Sequence, residues 1–196
     1  MISMTLSLLI AIFWLIFWIY WIVSAVGVKQ NVKGKGSWSF GGWLGSRLLF
    51  IVIIVAILNL PQFSGWWAWA NGWAIFQSEA VRSIGVVLTA AGISFAIWAR
   101  RHLGRNWSGT PRMKVGHELV TSGPYRFVRH PIYTGMLAAL FGSALAVGFA
   151  WLVIFIIVTV VFVRRIGVEE KYMMQLFPDQ YPAYRARTKA LVPFIW

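Results

Sequence analysis

The chain has 196 residues and no cysteine. Disulfides, thiolate nucleophiles and cysteine-based metal sites are therefore excluded, and cysteine usage says nothing about redox compartment. Acidic residues are nearly as scarce, with 5 Asp+Glu against 18 Lys+Arg and a formal net charge of +13. No phosphate-cradling fingerprint is present, and Gly34 and Gly36 read as a flexible loop. His102, His117 and His130 stand apart from any His-Glu-x-x-His helix, so no metal is expected. There is no internal repeat and no low-complexity tract.

What the chain has in excess is apolar residues, at 59%, with a mean hydropathy of +0.70. That composition belongs to an integral membrane protein. The surplus of basic residues then reads as loops kept on the cytoplasmic side, facing anionic lipid headgroups rather than nucleic acid. The first apolar run, residues 2–28, is too long for a cleavable signal, and its basic residues follow it instead of preceding it.

A helical span needs about 20 apolar residues. Residues 2–28 qualify, residues 43–60 form a second span stopped by Pro61, and residues 80–99 form a third. Residues 132–163 read as a tight hairpin of two further spans, turning near Val147 and Gly148. Between them lie the Lys- and Gly-rich segment 29–42, the Trp-rich segment 62–78, a long basic loop 100–131 and a polar, aromatic tail from Arg164. The expectation is an all-α membrane protein with five spans in one embedded domain, residues 1–196. Residues 1–99 supply three spans, and residues 100–196 a half that carries the chemistry.

Charge gives the orientation. Segments 29–47, 100–131 and the tail from 164 hold four, seven and six Lys/Arg residues, whereas segment 61–79 holds none. The N-terminus is then outside, and the loop and C-terminal tail are cytosolic. Gly135, Ala139 and Ser143 recur every four residues, as do Ala138, Gly142 and Ala146, a spacing that permits close helix approach in lipid. Residues 149–163 make only about 22 Å of helix. The helix is therefore expected to continue past Arg164 toward Phe177, placing Arg165 and Glu169 one turn apart on one face.

The densest polar stretch is residues 119–135, LVTSGPYRFVRHPIYTG. Tyr125, Arg126, Arg129, His130 and Tyr133 are costly beside a bilayer unless they serve a purpose. Gly123 and Pro124 mark a turn. Pro131 drives His130 toward an extended backbone just before a helix whose first N–H groups suit an anion. A second polar cluster is VRRIGVEE at 163–170. It reads either as surface ion pairs or as a carboxylate and an arginine that hold oppositely charged ligands.

Four motifs carry a resemblance: GRNWS at 104–108, HELVTSGPYRFVRHPIY at 117–133, RIGVEE at 165–170, and LFPDQYPAYRART with LVPFI at 176–195. Together they resemble the isoprenylcysteine carboxyl methyltransferase family, whose superfamily includes phospholipid N-methyltransferases and sterol reductases. The resemblance implies an S-adenosylmethionine cofactor. It implies that His117, Glu118, Leu119 and Val120 line the adenosine pocket, and that Tyr125, His130, Pro131, Ile132, Tyr133 and Glu169 contact the cofactor. It assigns Arg165 to the substrate carboxylate, which makes Arg165 and Glu169 the catalytic pair. Pro178 stands where the family usually has Gly, and predicts a stiffer tail.

The implied acceptor is a lipidic or prenylated small molecule or peptide. A carboxylate acceptor is already ionised at neutral pH and needs only an arginine to orient it. An amine acceptor needs a group such as His130 or Glu170 to take its proton. O-methylation is thus favoured over phospholipid N-methylation. An NADPH-dependent reductase of the sterol type and a non-enzymatic lipid-binding scaffold are the remaining alternatives.

Overall fold

A computed structural model describes residues 2–24, 78–106 and 118–193. Five helices occur among these residues: α1 (Ile2–Ser24), α2 (Glu79–Leu103), α3 (Pro131–Ala146), α4 (Phe149–Leu176) and α5 (Tyr181–Arg187). Single 3-10 turns lie at Gly104–Asn106 and Gly123–Arg126. No strand is formed among the described residues; the one β contact is an isolated parallel bridge between Val128 and Lys189.

Three of the helices, α1 over Thr5–Ser24, α2 and α4, are long and apolar enough to cross a membrane. Helix α3 has 16 residues, about 24 Å at 1.5 Å per residue, and falls short of a full span by itself. The expected second span at 43–60 and residue His117 lie outside the described residues. Helix α2 runs on through Arg100 to Leu103 instead of ending near residue 99. Helix α4 continues past Arg164 as expected, and ends at Leu176.

The α3–α4 turn falls at Val147 and Gly148. Gly148 adopts φ 150°, where a side chain would be strained. The stripe of small residues on α3 faces α2, however, and not the following helix α4. Gly135 meets Gly92 and Ala96, and Gly142 meets Gly85 and Thr89. A Cβ placed on Gly92 would lie 2.5 Å from the Ala139 nitrogen and 2.6 Å from the Gly135 oxygen. Backbone therefore touches backbone along this seam, the arrangement that gives helices close packing where no water can drive them together.

Hydroxyl groups fasten the same seam. Thr89 Oγ1 donates to the Gly85 and Ala139 carbonyls at 2.9 and 3.2 Å, and Ser143 Oγ donates to the Ala139 carbonyl at 2.8 Å. Trp14 Nε1 on α1 donates to Ser143 Oγ at 3.0 Å, joining the third helix. Around it Phe17, Ile93, Ala96 and Ala139 form a buried cluster, with Phe13, Trp14 and Trp21 packed on it. Arg82 Nε donates to the Ala146 carbonyl at 3.0 Å and so closes the C-terminal end of α3. Helix α4 packs more loosely, through Phe155 on Phe141 and Phe162 on Tyr133, and exposes Val153, Ile156, Ile157 and Val160.

This packing makes a contrast between two glycines. Gly92→Ala should destabilise the detergent-solubilised protein by about 1–3 kcal/mol, because neither backbone can yield. Gly167→Ala, inside α4 where a Cβ would meet nothing within 4 Å, should instead stabilise by about 0.5–1 kcal/mol, because Ala favours the helix over Gly. Thermal unfolding of the two variants beside the parent measures the difference.

Candidate active site

The polar stretch folds by local rules. Gly123 takes φ 58° and Pro124 follows it at the start of a 3-10 turn, from which Tyr125 turns inward. Tyr125 packs with Ala99 and Ile132, flanked by Val120 and Leu103, and its hydroxyl lies 3.5 Å from the Ala99 carbonyl. Burial raises its phenol above the ordinary range. His130 sits at φ −122°, ψ 58°, outside the helical region but less extended than a residue before proline usually is. Pro131 then opens α3.

The loop is bound to the tail by backbone. The Arg129 N–H donates to the Lys189 carbonyl at 2.8 Å and the His130 N–H to the Ala190 carbonyl at 3.0 Å. Thr134 Oγ1 donates to the Leu191 carbonyl at 2.7 Å, and Tyr184 Oη to the Tyr125 carbonyl at 2.7 Å. Tail residues 188–191 thus lie alongside residues 128–130 as a short strap.

Two adjacent carboxylates on α4 face this assembly. Glu169 Oε1 accepts Tyr133 Oη from α3 and Arg165 Nε from one turn earlier, each at 2.7 Å. Glu169 Oε2 faces His130 Nδ1 at 3.6 Å, longer than a hydrogen bond. Glu170 Oε1 accepts Arg129 Nε at 2.7 Å and faces His130 Nε2 at 3.6 Å, while Glu170 Oε2 faces Arg185 Nε at 3.2 Å. The His130 ring stacks parallel on Tyr133 at 5.6 Å, and Tyr133 stacks on Phe162 at 4.3 Å. His130 Nε2 is buried without a hydrogen bond.

Of the residues singled out in the sequence, His130, Tyr133, Arg165 and Glu169 meet at one place. Pro131 and Ile132 are buried in the first turn of α3. Glu118 is exposed, and Leu119 and Val120 are half-buried along the approach to the turn. Tyr125 lies beneath the site, with its side chain in the core. Sequence reasoning missed Arg185 and Tyr184. A signal for Arg185 existed, since a chain with five acids must share them among many cations. Among the described residues no group of three His, Asp and Glu side chains could hold a metal.

Tyr184 provides a pH test of the strap. Burial pushes its phenol up to about 12, above the ordinary value of about 10 that an unfolded chain would show. The folded state therefore holds this proton more tightly. Its stabilisation is complete below pH about 10 and is lost as pH rises toward 12. Thermal unfolding should show this alkaline loss in the parent, and a smaller loss over the same window in Tyr184→Phe.

The model of the phospholipid methyltransferase family matches residues 81–180, just over half of the chain and the part that holds α2 through α4. The chain is 30% identical over 158 residues to protein-S-isoprenylcysteine O-methyltransferase B of Arabidopsis thaliana, covering 76% of this chain and 71% of that one. It is 35% identical over 178 residues to the protein-S-isoprenylcysteine O-methyltransferase of Schizosaccharomyces pombe, covering 90% and 67%. A shorter likeness, 38% over 71 residues, links it to methanethiol S-methyltransferase 1 of Bradyrhizobium diazoefficiens, covering 36% and 24%. With these relatives, the chain is a methyltransferase and belongs to the isoprenylcysteine carboxyl methyltransferase family.

Proposed function

We propose that this protein transfers the methyl group of S-adenosylmethionine to the carboxylate of an isoprenylcysteine or a similar lipidic acceptor, at the cytosolic face of a five-span membrane domain. The observation that carries this reading is the Arg165–Glu169 pair, held one turn apart at 2.7 Å and adjoining His130 and Tyr133.

The donor set suits the cofactor. Glu169 Oε2 lies 3.6 Å from His130 Nδ1 and offers its charge to a cationic group. The stacked rings of His130 and Tyr133 offer a flat wall beside it. Glu118, Leu119 and Val120 lie on the approach, where the family resemblance puts the adenosine. When bound, S-adenosylmethionine supplies a methyl group activated by its sulfonium.

The chain's own task is positioning, which does most of the work in an in-line displacement. The Arg165 guanidinium orients an anionic acceptor. Tyr133 holds Glu169 from the neighbouring helix and keeps it from turning away. The cluster contains three arginines, Arg129, Arg165 and Arg185, against two glutamates. An incoming carboxylate is drawn to that excess of positive charge, and being ionised it needs no base. The loosely packed, apolar outer face of α4 gives a lipid tail a sideways approach while the headgroup meets the polar cluster.

A second reading, phospholipid N-methylation, is favoured by the name of the matching family model and by His130 Nε2, which is buried without a hydrogen bond and could take an amine proton. The two readings separate on the product. Membranes containing the protein and methyl-labelled S-adenosylmethionine should yield lipid-soluble label released by mild base, the mark of an ester. Label that resists base would mark an amine and overturn the carboxylate reading. In the same system S-adenosylhomocysteine should raise the melting temperature, and Glu169→Gln should abolish that rise.

A further inference from the structure

We propose that Glu170, to which the family resemblance assigns no cofactor contact, is a positioning residue that registers the tail against His130 and so sets the affinity for the methyl donor. The kinetic part of this proposal rests on the donor reading above; the structural part does not.

The two neighbouring glutamates have different partners. Glu169 is paired with Arg165 on its own helix and with Tyr133. Glu170 is ion-paired to no residue of its own helix. Its partners come from the loop, as Arg129 and His130, and from α5, as Arg185. It is 8% exposed.

Its two oxygens are divided between those segments, and the connection closes on itself. Glu170 Oε1 holds Arg129 through Nε. Arg129 Nη1 in turn donates to the carbonyls of Arg185 and Thr188, at the C-terminal end of α5. Glu170 Oε2 faces the Arg185 side chain of that same helix. The circuit runs from α4 to the loop, from the loop to the tail, and from the tail back to α4.

A buried ion pair is an inefficient way to hold two segments together, because desolvation offsets its attraction and apolar side chains of equal volume often serve as well. What a guanidinium on a carboxylate adds is direction. Here the direction is inherited by the next residue. Arg129 and His130 are consecutive, and their amides donate to consecutive tail carbonyls. Fixing the Arg129 side chain fixes the peptide that carries His130 and its ring between the two carboxylates, stacked on Tyr133. Glu170 thus acts on the donor site through Arg129 and the tail without touching the donor.

The test uses the full-length protein in detergent or nanodiscs, with S-adenosylmethionine kinetics and hydrogen exchange of the amides at 129 and 130. Glu170→Gln should speed exchange at both amides and raise the KM for S-adenosylmethionine about tenfold, with a smaller fall in kcat. Arg185→Gln removes the half-exposed partner and should move both readouts in the same direction, by about two- to threefold in KM. Arg185→Lys, which keeps the charge, should restore most of it. Unchanged exchange in Glu170→Gln overturns the proposal. So does an unchanged donor KM with a collapsed kcat, which would mark Glu170 as touching the reacting groups. If Glu170→Gln does not fold, the Arg185 pair decides, and equal donor KM values for Gln and Lys overturn it. A parent protein that transfers no methyl group from S-adenosylmethionine defeats the proposed function, while the exchange measurement still decides whether Glu170 registers the tail.

Discussion

A charge that leaves water at a membrane face must meet its counter-charge, and this chain has five acids with which to satisfy eighteen bases. It places two of the five side by side, Glu169 and Glu170, at the point where the apolar part of α4 has just ended. Around them gather Arg129, Arg165, Arg185, His130 and Tyr133, drawn from a loop, three helices and their flanking segments. The position of each segment follows from that requirement. The loop lies where Arg129 can reach Glu170, α3 begins where Tyr133 can reach Glu169, and the tail lies where its carbonyls can accept from Arg129.

The rest of the fold holds the site to its place. Close contact of α2 with α3, backbone on backbone at Gly85, Gly92, Gly135 and Gly142, sets the height of the short helix α3. The site sits at its proline-led end, beside the apolar faces of α3 and α4. That geometry suits a family whose named relatives methylate isoprenylcysteine.

Much of this is legible in the sequence, and for identifiable reasons. Helices α2 and α4 are long apolar runs, and the length of α4 follows from a stretch too short to span that must continue through Arg164. Arg165 and Glu169 are four apart, a spacing that a helix turns into contact. The turn at Gly123 and Pro124 carries its own chemistry. Other features are not local. A small-residue stripe states that another helix comes close but not which one, so the pairing of α3 with α2 rather than with α4 had to come from the tertiary packing. Tyr125 looks like a site residue because it stands in a polar stretch, yet its side chain is turned into the core. Arg185 lies 15 positions beyond Glu170, and no helical or strand period joins them.

On the proposed function, α3 and α4 contribute to one donor site through a single shared oxygen, Glu169 Oε1. The most direct measurement is a double-mutant cycle on S-adenosylhomocysteine affinity, using Tyr133→Phe, Glu169→Gln and the combined variant, by titration calorimetry in detergent. The two losses should not be additive, with a coupling of about 1 kcal/mol or more, as for residues in one hydrogen-bonded network. Additive losses, or full affinity in the combined variant, would contradict it.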